Sequence, residues 1–260
     1  MIQTLAFQID ALKRMKNYPK KLYYIGNLDL LQSKKISVVG SRKPNQYARN
    51  LTQELCSKLS LVDVKIVSGG AIGIDAVAHK SAGAKNTIMV AGTGLDTRYP
   101  AVNKTLIQDI ENNGLVLSQF EAGIASRKYN FPLRNELVVA LGDALVVAYA
   151  DENSGTMRSV EYALKMNKPI YVLPHRLGES KATTELVKQG LAKVIYDIDE
   201  FVAQYGTVKK DEKLDEFLEF CKTAPTYEEA IMKYASEVFE YELLGKIKIY
   251  NGKISINYCP

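Results

Sequence analysis

Residues 64–75 read Val-Lys-Ile-Val-Ser-Gly-Gly-Ala-Ile-Gly-Ile-Asp, a β-branched run, two glycines and the opening of a helix. The unpaired N–H groups of a helix start, with the helix dipole behind them, hold anions. Glycines such as Gly69 and Gly70 leave room for a phosphate to come close. A second strand end, Ile36-Ser-Val-Val-Gly40-Ser41-Arg42-Lys43-Pro44, brings a hydroxyl and a guanidinium to the same edge of a sheet. Arg42 there either forks onto phosphate oxygens or pairs with a surface acid; the glycine turn beside it favours phosphate. A third turn, Asp151-Glu152-Asn153-Ser154-Gly155-Thr156, also opens a helix. Its two acids oppose an anion, and its small polar residues read as ordinary helix caps.

The stretch Ser126-Arg127-Lys128-Tyr129-Asn130-Phe131-Pro132-Leu133-Arg134-Asn135 sets three cations among two aromatic rings in an expected loop at that edge. Such a loop suits a groove for an unpaired nucleic-acid strand, with cations on the backbone and a ring under a base. Packing of Phe131 onto the core accounts for the same residues equally well. Asp75 caps the helix after the glycine turn or binds a ribose. Of the two histidines, His79 reads as structural, and His175 ends a strand without a visible partner. There is no P-loop lysine pattern and no complete Gly-x-Gly-x-x-Gly with a ribose-reading acid. No catalytic residue, metal site or cofactor is therefore expected. The two glycine-bearing strand ends together point to a phosphate-rich ligand at the carboxyl edge of a parallel sheet.

That sheet must be built from short apolar strands at Leu22–Ile25, Ile36–Val39, Val64–Val67, Thr87–Val90, Leu115–Leu117, Leu145–Ala148, Ile170–Leu173 and Lys193–Ile195. Most lack alternation, as strands buried on both faces do. Helical patterns lie between them at Tyr47–Leu59, Ile74–Ala82, Lys104–Asn112, Arg134–Ala140, Thr156–Met166 and Thr183–Gln189. The alternation predicts an α/β fold: an extended Rossmann-like parallel sheet with helices on both faces. Residues 1–20 are expected to form a short N-terminal helical segment, 21–206 the main domain and 207–212 a linker. A different pattern follows over 213–260. Leu214, Phe217, Leu218 and Cys221 share a helix face, Thr226 and Glu229 form a capping box, and a third helix spans Ser236–Leu244 and stops at Gly245. Asn251-Gly252 then turns a hairpin. Three helices and a hairpin describe a small C-terminal winged-helix-like domain.

With 260 residues, 47% of them hydrophobic, the chain can bury a large core. No apolar run reaches membrane-spanning length, so no membrane insertion is expected, and the first residues lack a secretory apolar stretch. Cys56, Cys221 and Cys259 are few and widely spaced, which suits a reducing cytoplasm. The net charge of +5 is unevenly spread. Residues 207–260 hold 8 Lys against 10 acids, leaving 26 basic and 19 acidic groups in the rest. A polyanion is therefore expected on the main domain, and the acidic tail reads as an interaction or structural module.

In order along the chain, Val39-Gly40-Ser41-Arg42-x-Pro44, Ser68-Gly69-Gly70-Ala71-x-Gly73-x-Asp75, Gly92-Thr93-Gly94-Leu95 and Tyr99-Pro100 resemble the DNA-processing protein A family (DprA, or Smf). Phe131, Arg134-Asn135, Ser154-Gly155-Thr156 and Val172-Leu173-Pro174 continue the match, which spans about residues 22 to 200. The resemblance implies a cytoplasmic, non-enzymatic protein of natural transformation. Such proteins bind and shield single-stranded DNA, form homodimers and help load the RecA recombinase. Carried onto this chain, it implies that Ser41, Arg42, Gly69 and Gly70 hold phosphate and Lys128 contacts the backbone. Phe131 would stack on a base, Arg134 and Asn135 would complete the pocket, and Lys165 would be a lesser strand contact. Phe-Pro-Leu before Arg-Asn departs from the smaller residues of many relatives, and an upstream helical domain is expected to be reduced or lost. The alternative is a nucleotide-binding Rossmann enzyme, akin to nucleoside monophosphate phosphoribohydrolases. Against it, Gly155-Thr156 is followed by Met157-Arg158, and Glu161 comes too late for that family's catalytic signature.

Overall fold

The computed structural model describes residues 1–152, 154–207, 212–243 and 246–256, with the side chains of 212–215 and 243 left aside. Residues 208–211 of the expected 207–212 linker, Asn153, the helix stop at Gly245, the Leu214 side chain and Cys259 lie outside the described residues, and Glu212 of that linker is already helical. The chain divides into two compact units, Met1–Thr207 and Val208–Pro260.

In the first unit the strands are β1 (Gln3–Thr4), β2 (Tyr23–Gly26), β3 (Lys35–Gly40), β4 (Lys65–Ser68), β5 (Thr87–Val90), β6 (Leu115–Ser118), β7 (Ala144–Tyr149), β8 (Ile170–Val172) and β9 (Lys193–Val194). The helices are α1 (Gln46–Leu61), α2 (Ile74–Ala82), α3 (Lys104–Asn113), α4 (Asn130–Leu141), α5 (Thr156–Lys165), α6 (Lys181–Lys188) and α7 (Ile198–Ala203). One sheet has the order β1-β2-β6-β5-β4-β3-β7-β8-β9. From β6 through β9 every neighbouring pair is parallel, whereas β2 joins β6, and β1 joins β2, antiparallel. The chain runs outward from β3 in one direction and, from β7, in the other. The crevice between the carboxyl ends of β3 and β7 is thus the switch point of a doubly wound sheet, where ligands of such folds sit.

Strand residues divide between the faces with period two. Val39, Val67, Ile88, Val90, Leu145 and Val147 pack against α4, α5 and α6. Ile36, Val38, Ile66 and Val146 pack against α1, α2 and α7. Met89 and Val116 meet Ile107 and Ile110 of α3. The first twenty residues depart from the expected helical segment. Gln3 and Thr4 pair with Tyr24 and Tyr23 as an edge strand, and only Asp10–Arg14 winds, as a 3-10 turn. Ile9, Leu12 and Met15 are the apolar groups this stretch buries, and one short turn is enough to do so.

The second unit has helices α8 (Glu212–Cys221) and α9 (Tyr227–Leu243) and the hairpin strands β10 (Ile247–Tyr250) and β11 (Lys253–Ile256). The backbone of α9 breaks at Tyr234, with φ −142° and ψ 49°, so the second and third expected helices meet at that kink. The capping box forms: Glu229 N–H donates to Thr226 Oγ1 at 3.2 Å, and Thr226 N–H to Glu229 Oε2 at 2.9 Å. Phe217, Cys221, Ala230, Val238, Tyr241, Ile247 and Ile254 make a separate small core.

Candidate nucleic-acid interface

Three turns at the carboxyl edge build the crevice. After β3, Ser41 Oγ accepts from Lys43 N–H at 3.0 Å, and Asn45 caps α1 by accepting from Ala48 N–H at 2.8 Å. After β4, the turn is tied to its neighbours: Ile74 N–H donates to Ser41 O at 3.2 Å, and Asn103 Nδ2 donates to Gly70 O at 3.0 Å. After β7, α5 starts at Gly155 with no side-chain cap. The reading of Ser154-Gly155-Thr156 as an ordinary cap is therefore replaced: these three line the crevice together with Ser159, and Thr156 and Ser159 are buried.

The crevice has a volume of about 670 Å³. Arg42, Lys43, Lys128, Arg134 and Arg158 line it, opposed only by Asp75 and Asp151 among the acids. Ser41, Arg42, Lys128, Phe131, Arg134 and Asn135 therefore come together as the sequence motifs implied. Lys43, Arg158 and the Ser154–Thr156 turn join them; the first two carried no signal beyond being cations beside turn residues. Lys165 does not join them. It is exposed at the last turn of α5, away from the helix start that faces the crevice.

Two local expectations change. Residues 130–135 are helix and not loop: α4 begins at Asn130, whose Nδ2 donates to Gly92 O at 2.9 Å and Ala125 O at 3.1 Å. Phe131 thus sits in a first helical turn, half-buried. The space at the glycine turn is also already taken. A Cβ on Gly69 would lie 1.6 Å from Arg134 Nη1, and one on Gly70 would lie 2.7 Å from Met89 Sδ. The glycines admit an internal guanidinium and a core sulfur where a phosphate was expected.

Arg134 is 4% exposed and donates through Nη1 to Gly69 O and, at 3.1 Å, to Val90 O. Buried Asp75 accepts from Ala71 N–H at 3.3 Å, which answers the choice between cap and ribose ligand in favour of bracing the turn. Burial raises the Asp75 carboxyl above its ordinary range, and the Arg134 charge opposes that rise. Burial likewise lowers Arg134, with Asp75 acting against it. Arg134 thus sets a guanidinium at the crevice floor whose charge Asp75 partly offsets, while Arg42, exposed, is free to meet a ligand.

Phe131 lies close to both of these cations. The Arg42 guanidinium carbon is 5.6 Å from its ring centroid and that of Arg134 is 6.0 Å away. Tyr99 flanks the ring, with centroids 5.9 Å apart and planes at 36°. A smaller recess of about 90 Å³ opens there, lined by Ile72, Tyr99, Pro100 and Phe131 together with Arg42, Gly69 and Arg134.

The histidines do not take part. His79 is buried, with Nδ1 2.5 Å from Thr87 Oγ1, and His175 Nε2 lies 2.7 Å from Ala148 O among tyrosine rings. Glu161 is outside the crevice and pairs with Arg158 at 3.2 Å. Among the described residues no group of three His, Cys, Asp or Glu is placed to hold a metal ion.

Fold and crevice define a doubly wound, Rossmann-like α/β binding protein. Comparison with known proteins narrows the class. The sequence profile of the family described as DNA recombination-mediator protein A matches residues 8–206, and the chain belongs to that family. It is 36% identical over 199 residues to DNA processing protein DprA of Streptococcus pneumoniae, covering 75% of this chain and 70% of that protein. It is 35% identical over 198 residues to Protein Smf of Synechocystis, covering 73% of this chain but only 50% of the relative's length. Among solved structures, DNA processing protein A of Helicobacter pylori, described for its single-stranded DNA binding mode, superposes with a TM-score of 0.77. The two are 40% identical, and the match covers 78% of this chain and 94% of that one. The Streptococcus pneumoniae structure gives a TM-score of 0.73 at 32% identity, covering 79% of this chain and 75% of that one.

Proposed function

We propose that this chain binds single-stranded DNA along the switch-point crevice and acts as a recombination mediator. The observation that carries the reading is the Phe131 ring beside Arg42 and Arg134 at the mouth of a cation-lined groove. An unpaired strand presents the two chemistries that groove offers to meet, backbone charge and an open base face. A duplex hides its base faces in the stack and cannot reach the ring. In this reading Ser41, Arg42 and Lys128 meet phosphates, Phe131 stacks on a base, and Asn135 completes the pocket wall. Gly69 and Gly70 act by admitting the groups that shape the floor. Lys165 serves only a strand that continues along α5.

The family likeness extends the proposal: the protein shields incoming DNA in natural transformation, helps load RecA, and works as a cytoplasmic homodimer. The unit beyond residue 207 is read as a winged-helix-like partner module. A gel-shift series with single-stranded and duplex DNA at several salt concentrations tests the core of the reading. Preference for the single strand, weakened in both Arg42→Ala and Phe131→Ala, is the expected result. Parental binding by both variants at moderate salt would overturn the assignment of the groove.

A further inference from the structure

The Tyr99 ring has no role in the groove described so far, yet it is built into place. It is 41% exposed. Its loop is clamped on both sides. Arg98 donates to Glu111 through Nε and Nη2, at 2.9 Å and 2.6 Å to Oε2, and Asn103 ties the next turn to Gly70 O. An exposed aromatic on a clamped loop is pre-organised, so contact with it costs little ordering. Beside it lie Ile72, which is 40% exposed, and Pro100.

We propose that Tyr99 is a second base platform, carrying the nucleotide next to the one stacked on Phe131. The proposal rests on the single-strand reading and deepens it. Intercalating one base between the two rings needs about 7 Å, two van der Waals spacings. The rings are 5.9 Å apart and tilted by 36°, too close for that. A base would therefore stack on the exposed part of each ring separately, Tyr99 being 41% exposed and Phe131 half-buried. Arg42 is on Phe131 and also borders the Tyr99 recess, so one guanidinium can reach the phosphate that joins the two nucleotides. The site is thereby a dinucleotide step of unpaired DNA, read by stacking and not by base-edge hydrogen bonds.

Oligo-dT carrying 5-iodo-deoxyuridine, irradiated on the parent chain and mapped by peptide mass, should form adducts at Tyr99 as well as at Phe131. Tyr99→Ala should weaken oligo-dT binding by about 5- to 150-fold, the loss of one stacked base. Tyr99→Phe, which keeps the ring, should bind within about twofold of the parent. Adducts at Phe131 alone, with parental binding by Tyr99→Ala, would overturn the second platform while leaving the single-strand reading intact. If Arg42→Ala and Phe131→Ala bind normally too, the underlying reading fails instead. Should Tyr99→Ala not fold, the crosslink map on the parent chain still decides.

Discussion

Arg134 and Arg42 carry the same charge and do different work. Arg134 is buried, holds the carbonyls of Gly69 and Val90, and faces Asp75; Arg42 is exposed over the ring. Arg134→Ala should therefore cost about 1–3 kcal/mol of stability, because it leaves the buried Gly69 and Val90 carbonyls without that donor and Asp75 without a nearby positive charge. Chemical denaturation measures this, and Arg134→Lys should recover part of it, since both bonds come from the one nitrogen Nη1. Arg42→Ala should leave the denaturation midpoint within experimental scatter and act on binding alone, while Phe131→Ala should lose about 1–3 kcal/mol of oligo-dT affinity. These two arginines were legible in sequence as cations at turn positions. Their division of labour was not, because burial of Arg134 depends on Gly69, which lies 65 residues away. Tyr99 was visible only as part of a Tyr-Pro pair, with nothing local to tell an exposed ring from a buried one.

At the scale of elements, α4 is the part that sequence reasoning placed late. Pro132 and the run of cations looked like a loop, but proline is tolerated in a first helical turn, and Asn130 supplies the anchoring. Asn130→Ala should release that turn, costing about 1–3 kcal/mol for the carbonyls left unpaired and lowering oligo-dT affinity without removing a ligand contact. Paired denaturation and binding titrations check both effects. The parallel strands and the capping box were legible because their signals are local: apolar runs of strand length, and a Thr and a Glu three residues apart. Helix α2 carries a pH dependence of its own. Burial pushes His79 down from 6.5 to about 3, so the unfolded chain takes up a proton that the folded chain refuses. Its contribution is present above about pH 6.5 and is lost as pH falls from there toward 3, reaching about 2 kcal/mol by pH 5. Denaturation at pH 7 and pH 5 should show that loss in the parent and a shallower one in His79→Gln.

For the whole molecule, the charge division between the units predicts where DNA affinity resides. Removing residues 207–260 should leave most single-strand affinity, since the positive excess lies in residues 1–206. Near-complete loss of binding, with the remainder still folded, would move the site to the tail. If Arg42, Lys43 and Lys128 each neutralise one phosphate, the logarithm of affinity should fall with the logarithm of salt at a slope of about −2. A salt titration reads it directly. Strand order also has a consequence in time. β3 is flanked by β4, which follows it closely, and by β7, which arrives about a hundred residues later in synthesis. Each half of the crevice wall therefore emerges separately from the ribosome. The first half, ending before residue 144, leaves the inner side of β3 unpaired and the groove without its second wall. On the proposed reading a nascent chain should hold DNA only after α5 has emerged, and chains arrested before that point should pass a single-stranded DNA column unretained.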